Sequence, residues 1–248
     1  MLKTVREQSV AILTIDRPDR RNAIGSELIS QLDTAFRTLD HDDTTRAIVL
    51  TGSAPGFCAG SDLKELGTMD LGGMCHHEAV TAALARAIAL LSKPMIAAVE
   101  GFALGGGFAL ATSCDLIVTT PGCRWHMPEV MIGWIPPWGL ESLVARCGPV
   151  RARRLTWGSE PIDGTEALRL GVVDYIAPEG TALREATALA GRLAVLPAPA
   201  VAATKHYFAQ ATAGMGEPRD AEANRMFADN CRHDVAKATL KKYGVRNT

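Results

Sequence analysis

The sequence predicts an α/β fold with a parallel sheet at its centre and only helices in its C-terminal part. Residues 47–51 and Met95–Val99 are almost entirely apolar and uncharged, as is typical of strands that are covered on both faces of a sheet. Segments with the apolar spacing of amphipathic helices alternate with such strands up to about residue 176, and from there on the pattern is helical only. This alternation favours a parallel sheet, because each helix provides a crossover between two parallel strands.

The N-terminal part contains a strand, a helix and a second strand in succession. Val10, Ile12 and Ile15 lie in a β-branched run that ends at a turn over residues 16–19. Ser26 is a candidate N-cap for the following helix. The apolar positions of that helix are Leu28, Ile29, Leu32, Ala35, Phe36 and Leu39. The strand at 47–51 then leads into a loop rich in Gly and Pro over residues 52–60, and such loops often carry function.

The remaining elements follow from the same periodicity. A helix precedes the strand Met95–Val99, and its apolar positions are Val80, Ala83, Leu84, Ala87, Ile88 and Leu91. Further strands are expected at 115–119 and 172–176, whereas 140–170 and 181–240 are helical in composition, with Asp163 and Glu166 resembling a capping box. Pro197-Ala198-Pro199 marks a break between helices. We therefore expect a core at residues 1–180 and a helical region at residues 181–248.

Composition and charge exclude several classes of function. The 248 residues are 47 % hydrophobic and carry 26 basic against 27 acidic side chains, so no long-range field favours nucleic acid or anionic lipid as a partner. The longest charge-free stretch, residues 101–114, is too short and too rich in glycine to span a bilayer. The six cysteines show no metal-binding spacing, and the charged N-terminus does not resemble a signal peptide. We expect a cytoplasmic protein with free thiols, no metal and no membrane contact.

Polar or glycine residues interrupt apolar sequence at 57–64, 101–114 and 126–129. The run Gly105-Gly106-Gly107 fits neither a dinucleotide fingerprint, because Leu110 occupies the third glycine position, nor a P-loop, because no Lys-Ser or Lys-Thr follows it. Glycine permits close packing of a strand on a helix, and it also leaves amide groups at a helix start free to bind an anion or a polarised carbonyl oxygen. Both roles are compatible.

Glu129 is the strongest candidate for proton transfer. It stands between Met127-Pro128 and an apolar run, and no further charged residue occurs until Glu141. Apolar surroundings raise the pKa of a carboxyl group towards neutrality, although an exposed loop carboxylate is the alternative. His126 has no second ligand at metal-binding spacing, which favours packing or hydrogen bonding, and residues 76–78, His-His-Glu, are expected on a solvated helix surface.

Several separate motifs together resemble the enoyl-CoA hydratase/isomerase (crotonase) family. These motifs are Arg17-Pro18 with Arg21-Asn22-Ala23-Ile24, Phe57-Cys58-Ala59-Gly60-Ser61-Asp62-Leu63-Lys64-Glu65-Leu66, Gly101-Phe102-Ala103-Leu104-Gly105-Gly106-Gly107, and Pro128-Glu129. They occur in the order and spacing of that family, from the first strand to about residue 177. The resemblance implies a spiral of ββα units, followed by C-terminal helices that serve assembly into a homotrimer or a hexamer.

The family likeness also implies a substrate and its binding residues. The substrate is an acyl-CoA thioester, with coenzyme A as part of the substrate and no separate cofactor. Its carbonyl oxygen is expected to accept hydrogen bonds from the main-chain amides of Ser61 and Gly106, where an enolate would be stabilised. The other positions implied to bind the CoA or acyl part are Arg21, Ala23, Ala59, Asp62, Leu63, Gly105, Ala109, Pro128 and Trp134.

One departure from the family pattern bears on the reaction. The hydratases have a first catalytic glutamate where this chain has Ala109, so only Glu129 matches. Hydration is usually shared between two carboxylates, whereas one base can remove and return the proton in a 1,3-shift; we therefore expect double-bond isomerisation. Alternatives are hydration or dehydration with a water held by Glu141 or His126, decarboxylation or C–C cleavage, and a non-catalytic subunit that binds CoA thioesters.

The large apolar side chains near Glu129 have two possible roles. Trp125, Trp134, Trp138 and Met131 are candidates for the core. Trp134 and Trp138 are equally candidates for the wall of an acyl pocket, because large rings set the shape of an apolar site.

Overall fold

The computed structural model describes residues 1–158, 160–213 and 215–243. Ser159, Gly214 and residues 244–248, which belong to the two predicted regions, lie outside the described residues. Within the described chain the predicted α/β class is confirmed, with a mainly parallel sheet and helices on both of its faces. The boundary at residue 180 stays a prediction.

The larger sheet has six described strands in the order β1-β2-β3-β4-β6-β8. These strands are β1 (Leu2–Glu7), β2 (Val10–Ile15), β3 (Ala47–Gly52), β4 (Met95–Val99), β6 (Leu116–Thr119) and β8 (Tyr175–Ile176). Strand β1 pairs with β2 in antiparallel fashion, and every other pair in this sheet is parallel. Two shorter strands, β5 (Phe102–Leu104) and β7 (Arg124–His126), pair in parallel outside this sheet.

Helices connect the parallel strands and form the C-terminal part of the chain. They are α1 (Ser26–His41), α2 (Leu63–Leu66), α3 (Leu71–Leu90), α4 (Gly106–Thr112), α5 (Leu140–Trp157), α6 (Gly164–Leu170), α7 (Ala182–Ala194), α8 (Ala198–Ala213), α9 (Gly216–Asn230) and α10 (Asp234–Tyr243). The break between α7 and α8 lies at residues 195–197, so of the predicted Pro197-Ala198-Pro199 only Pro197 lies in the break. Asp163 caps α6 by accepting a hydrogen bond from the amide of Glu166 at 2.7 Å. The Glu166 carboxylate accepts from Arg169, so the described residues show only this half of the predicted capping box.

The start of α1 differs from the prediction. Gly25 is the N-cap, and Ser26 is already the first helical residue. The amide of Ser26 donates instead to the Glu65 carboxylate of α2, at 3.0 Å. A carboxylate at this place satisfies a first-turn amide that has no partner within the helix.

The two faces of the sheet bury different side chains of the same strands. Ile48 and Leu50 of β3 point into the larger core with α1 and α4, and Val49 points to the opposite face, where α7 covers it. This double covering explains why β3 and β4 are apolar at successive positions rather than at alternate ones. Helix α7 contributes Ala186, Leu189 and Ala190 to that second layer.

The buried face of α3 is the main error of the sequence prediction. Val80 and Ala83 are exposed, and the side chains on the buried face are Met74, His77, Glu78, Thr81, Ala82, Leu84, Ala85 and Ile88. The expectation that residues 76–78 are solvated holds for His76 only, because His77 is 4 % and Glu78 is 2 % exposed. Met131, a predicted core residue, is more than half exposed.

Among the described helices, none is by itself long and apolar enough to cross a membrane, and α7 with α8 meets that test only as a pair bent by 112°.

Candidate active site

A cavity of about 80 Å³ lies where the glycine-rich loops, α3 and the segment after β7 meet. We call it the central cavity. The predicted site residues in its wall are Ala59, Ser61, Leu63, Gly105, Gly106, Ala109, Pro128, Glu129 and Trp134. The wall also contains Gly60, Leu66, Glu78, Ile132, Pro136, Pro137, Trp138 and Phe227. The structure therefore brings together residues from the three segments that the sequence singled out.

Two main-chain amides lie side by side in the wall of the central cavity. A Cβ placed on Gly60 would lie 2.9 Å from the nitrogen of Gly106, and a Cβ on Gly106 would lie 3.5 Å from the nitrogen of Ser61. Within the described chain, neither the Ser61 nor the Gly106 amide donates to a backbone carbonyl. Gly106 opens α4, and an amide in the first turn of a helix has no intrahelical acceptor. Both amides are thus available to an oxygen atom in the cavity.

Backbone pairing holds these two amides at this spacing. The amide of Ile24 donates to the carbonyl of Gly60 and the amide of Asp62 donates to that of Ile24, each at 2.8 Å. On the other side, the amide of Leu104 donates to the carbonyl of Cys58 at 2.9 Å. Glycine is required at 107, because a Cβ there would lie 2.2 Å from the Cys58 carbonyl oxygen.

Glu129 follows β7 and directs its carboxylate into the central cavity. It is 8 % exposed, and a Cβ on Gly105 would lie 2.7 Å from its Oε1. Among the described residues, its Oε2 has no hydrogen-bond partner. Burial raises the pKa of Glu129 to about 7, and the charge of Glu78 acts in the same direction. Glu129 is therefore able to hold or release a proton near neutral pH.

Glu78, which the sequence analysis placed on the surface, is a second carboxylate in the same cavity. The Trp138 indole nitrogen donates a hydrogen bond to its Oε2 at 2.8 Å. Burial raises the pKa of Glu78, whereas the charge of His77 and hydrogen bonds from Ser61 and Trp138 lower it. A usable signal was present, because Glu78 lies four residues after Met74 and four before Ala82, on one face of α3.

Three predicted site residues lie outside the central cavity wall. Asp62 uses its carboxylate to cap α2, by accepting from the amides of Lys64 and Glu65, and to pair with Arg17 at 3.0 Å. Ala23 is buried, and Arg21 is exposed with its guanidinium 4.6 Å from the centre of the Phe102 ring. Their predicted contacts with CoA stay predictions.

His126 and Glu141, the predicted alternatives for holding a water, do not line the central cavity. The Nε2 atom of His126 pairs with the carbonyl oxygen of Gly158 at 2.7 Å, and Glu141 lies 3.8 Å from Arg219. The structure therefore does not support a water held by either residue. No three His, Cys, Asp or Glu side chains in the described ranges are grouped so as to hold a metal ion.

Fold and site together define an α/β enzyme with two carboxylates and two free amides around one small cavity. Residues 5–246 match the family model described as enoyl-CoA hydratase/isomerase. The chain belongs to the enoyl-CoA hydratase/isomerase family, and it is an enzyme of the crotonase superfamily. Its substrate class is accordingly acyl-CoA.

Individual relatives and solved structures agree with this assignment. A probable enoyl-CoA hydratase of Rhizobium meliloti is 35 % identical over 79 % of this chain and 76 % of its own. The 2,3-dehydroadipyl-CoA hydratase of Escherichia coli is 31 % identical over 96 % of this chain and 94 % of its own. The crystal structure of an enoyl-CoA hydratase from Polaromonas superposes with a TM-score of 0.81 at 30 % identity, over 94 % of this chain and 92 % of that one.

Proposed function

We propose that this enzyme catalyses the reversible addition of water to 2-enoyl-CoA thioesters. The observation that carries the proposal is the geometry around Glu129, a buried carboxyl group with a pKa of about 7 that shares the central cavity with the free amides of Ser61 and Gly106. Such amides are placed to stabilise the thioester enolate that forms when water adds to C3. Glu129 then supplies the proton at C2.

The names of the relatives favour hydration over the isomerisation that the sequence predicted. Both relatives described above are named as hydratases. The expectation of isomerisation depended on Glu129 as a lone carboxylate, and the structure places Glu78 in the same cavity.

Isomerisation of 3-enoyl-CoA is the second candidate, and Ala109 favours it. This side chain lies in the cavity wall at the position of the first glutamate of the family's hydratases. Its Cβ is also tightly confined, because a Cβ on Gly139 would lie 2.7 Å from it. A 1,3-proton shift needs only Glu129 and the two amides.

Product analysis on matched substrates tests the proposal. The enzyme is incubated with 2-enoyl-CoA and 3-enoyl-CoA esters of several chain lengths, and products are identified by mass and ultraviolet absorbance. We expect the 2-enoyl esters to gain the mass of one water, and Glu129→Gln to lower the turnover by about 10² to 10⁴. Conversion of 3-enoyl esters without change of mass, with no hydration, would replace hydration by isomerisation. Glu166→Gln, on the surface of α6, is the control and is expected to keep full turnover.

A further inference from the structure

Glu78 has a buried carboxylate, although its contacts in the fold do not require a charged group. It lines the central cavity at 2 % exposure. Its contact with the Trp138 indole uses only acceptor capacity, which a neutral amide would supply without the cost of burying a charge. A carboxyl group at this place is therefore better explained by proton transfer than by support of the Trp138 ring.

Trp138 connects Glu78 to the pair of free amides. This indole lies against the start of α4, where a Cβ on Gly106 would approach its Cζ2 atom to 3.1 Å. The indole nitrogen of the same ring holds Oε2 of Glu78 at 2.8 Å. The Trp138 ring therefore lies between Glu78 and the expected position of the thioester oxygen. Glu129, in the segment after β7, lines the same cavity.

Hydration, as proposed above, needs one group that takes a proton from water and another that gives a proton to C2. We infer that Glu78 is the second catalytic carboxylate of this enzyme, the base that takes the proton from the water added at C3. It supplies from α3 a function for which position 109 offers only a methyl group. The inference rests on the proposed hydration and assigns the group that hydration requires.

The assignment of base and acid follows from the surroundings of the two carboxylates. Two like charges in one small cavity favour a single shared negative charge. Burial raises the pKa of both carboxyl groups. Glu78, however, accepts a hydrogen bond from the Trp138 indole at 2.8 Å and is stabilised as an anion by Ser61 and the charge of His77, whereas Oε2 of Glu129 has no partner in the described chain. This difference in hydrogen bonding assigns the shared negative charge to Glu78 and the proton to Glu129.

Atoms and charges balance in this step. An O–H bond of water breaks and its proton goes to Glu78 while the oxygen bonds to C3. The π electrons of the C2–C3 double bond move to the thioester oxygen, which the amides of Ser61 and Gly106 hold as an enolate. Collapse of the enolate takes the proton of Glu129 to C2. Transfer of the new proton from Glu78 to Glu129 restores the starting state.

The variant Glu78→Gln, compared with Glu129→Gln and the control Glu100→Gln, tests this assignment. Glu100 accepts a hydrogen bond from the amide of Ala182 and lies outside the cavity wall. Two activities are measured. The first is hydration of a 2-enoyl-CoA. The second is exchange of the C2 protons of a saturated acyl-CoA into D₂O at a pH above the pKa of Glu129, about 7, which requires ionised Glu129 and the amides but no addition of water to the acyl chain.

We expect Glu78→Gln to lower kcat for hydration at least 100-fold with KM within threefold, and to keep proton exchange within threefold of the wild type. Glu129→Gln should lose both activities and Glu100→Gln neither. Retained exchange shows that the folded site is intact, so loss of hydration alone is assigned to Glu78. Hydration by Glu78→Gln within threefold of the wild type would overturn the inference and leave the proposed hydration standing. A wild-type enzyme that exchanges C2 protons but does not hydrate would overturn both.

The pH profile provides a readout that a purely structural role would not change. The titratable groups near Glu78 are Glu129, His77, Cys75 and Cys231. We expect a bell-shaped profile of kcat/KM in the wild type, with one limb for ionisation of Glu78 and one for loss of the proton of Glu129. In Glu78→Gln the residual activity should keep only the limb that falls with rising pH. A profile that still has both limbs would exclude Glu78 as the base.

Discussion

At the scale of single residues, burial of Glu129 links activity to stability. Its pKa of about 7 in the folded chain lies above the ordinary 4.5, so the folded state binds more protons than the unfolded state between these values. Stability therefore falls as the pH rises through this window, by roughly 3 kcal/mol at about 1.4 kcal/mol for each pH unit. Glu129→Gln removes this loss, and we expect the variant to be more stable than the wild type above pH 7 and nearly equal to it at pH 4.5.

Urea unfolding of both proteins at several pH values measures this difference. Glu166→Gln is a control of opposite sign, because hydrogen bonding from Arg169 lowers the pKa of Glu166. The ion pair with Arg169 stabilises the fold above the ordinary pKa of a glutamate, and this stabilisation is lost as the pH falls. Glu166→Gln should therefore be slightly less stable than the wild type at pH 8. If Glu129→Gln is destabilised equally at all pH values, Glu129 is not held neutral by burial.

The sequence prediction found the burial of Glu129 but missed that of Glu78, although the buried residues Met74 and Ala82 stand four positions before and after it. Apolar neighbours surround Glu129 along the chain, so its burial is visible locally. Glu78 is next to His76 and His77, and its burial depends on α9 and on Trp138, which come much later in the sequence. A helix-face prediction that considers only apolar residues assigns a buried carboxylate to the surface. Functional side chains are the positions at which this kind of prediction is expected to fail.

At the scale of elements, the approach of α4 to the loop at 58–61 sets the distance between the two free amides. A Cβ on Gly107 would collide with the Cys58 carbonyl at 2.2 Å, so Gly107→Ala must move the start of α4 away from Ser61. We expect turnover to fall by about 10² to 10³, as when one donor to an oxyanion is lost, together with a lower melting temperature.

Gly191→Ala is the matched control for this prediction. Gly191 lies inside α7, and no heavy atom would lie within 4 Å of an added Cβ. Alanine is favoured over glycine in a helix by about 0.5 to 1 kcal/mol, so this variant should melt at a higher temperature with unchanged turnover. Full turnover of Gly107→Ala would show that the spacing of the two amides does not limit the reaction.

Elements with a strong local pattern could be predicted, and those that depend on distant partners could not. Strands β2 and β4 lie at their predicted positions because their runs are apolar and bounded by turns. Strand β1 was not predicted, because its residues are mostly exposed at the edge of the sheet. Strands β5 and β7, of three residues each, were also not predicted, because they form by pairing with each other across about 20 residues of chain and with Cys58 and Ile162 in other segments.

At the scale of the whole molecule, the property to be tested is the oligomeric state. The homotrimer or hexamer implied by the family likeness stays a prediction, and the surface of α7 and α8 is consistent with it. Leu196 and Phe208 line one groove, while Tyr207 and Phe208 are 75 % and 65 % exposed and stack edge to face with centroids 5.3 Å apart. Monomeric proteins seldom leave such an apolar group in contact with water.

The mass in solution, measured by size-exclusion chromatography with light scattering, tests whether these helices mediate assembly. We expect the wild type to have three or six times the chain mass of 26.4 kDa. Phe208→Asp should lower that mass, because assembly would bury an unpaired charge. Val5→Asp introduces the same charge at an exposed position of the edge strand β1, and it should leave the mass unchanged.

A wild-type mass of one chain would contradict the assembly, whereas an unchanged mass in Phe208→Asp would place the interface away from α8. A smaller assembly that keeps full turnover would further show that the residues of one chain complete the central cavity.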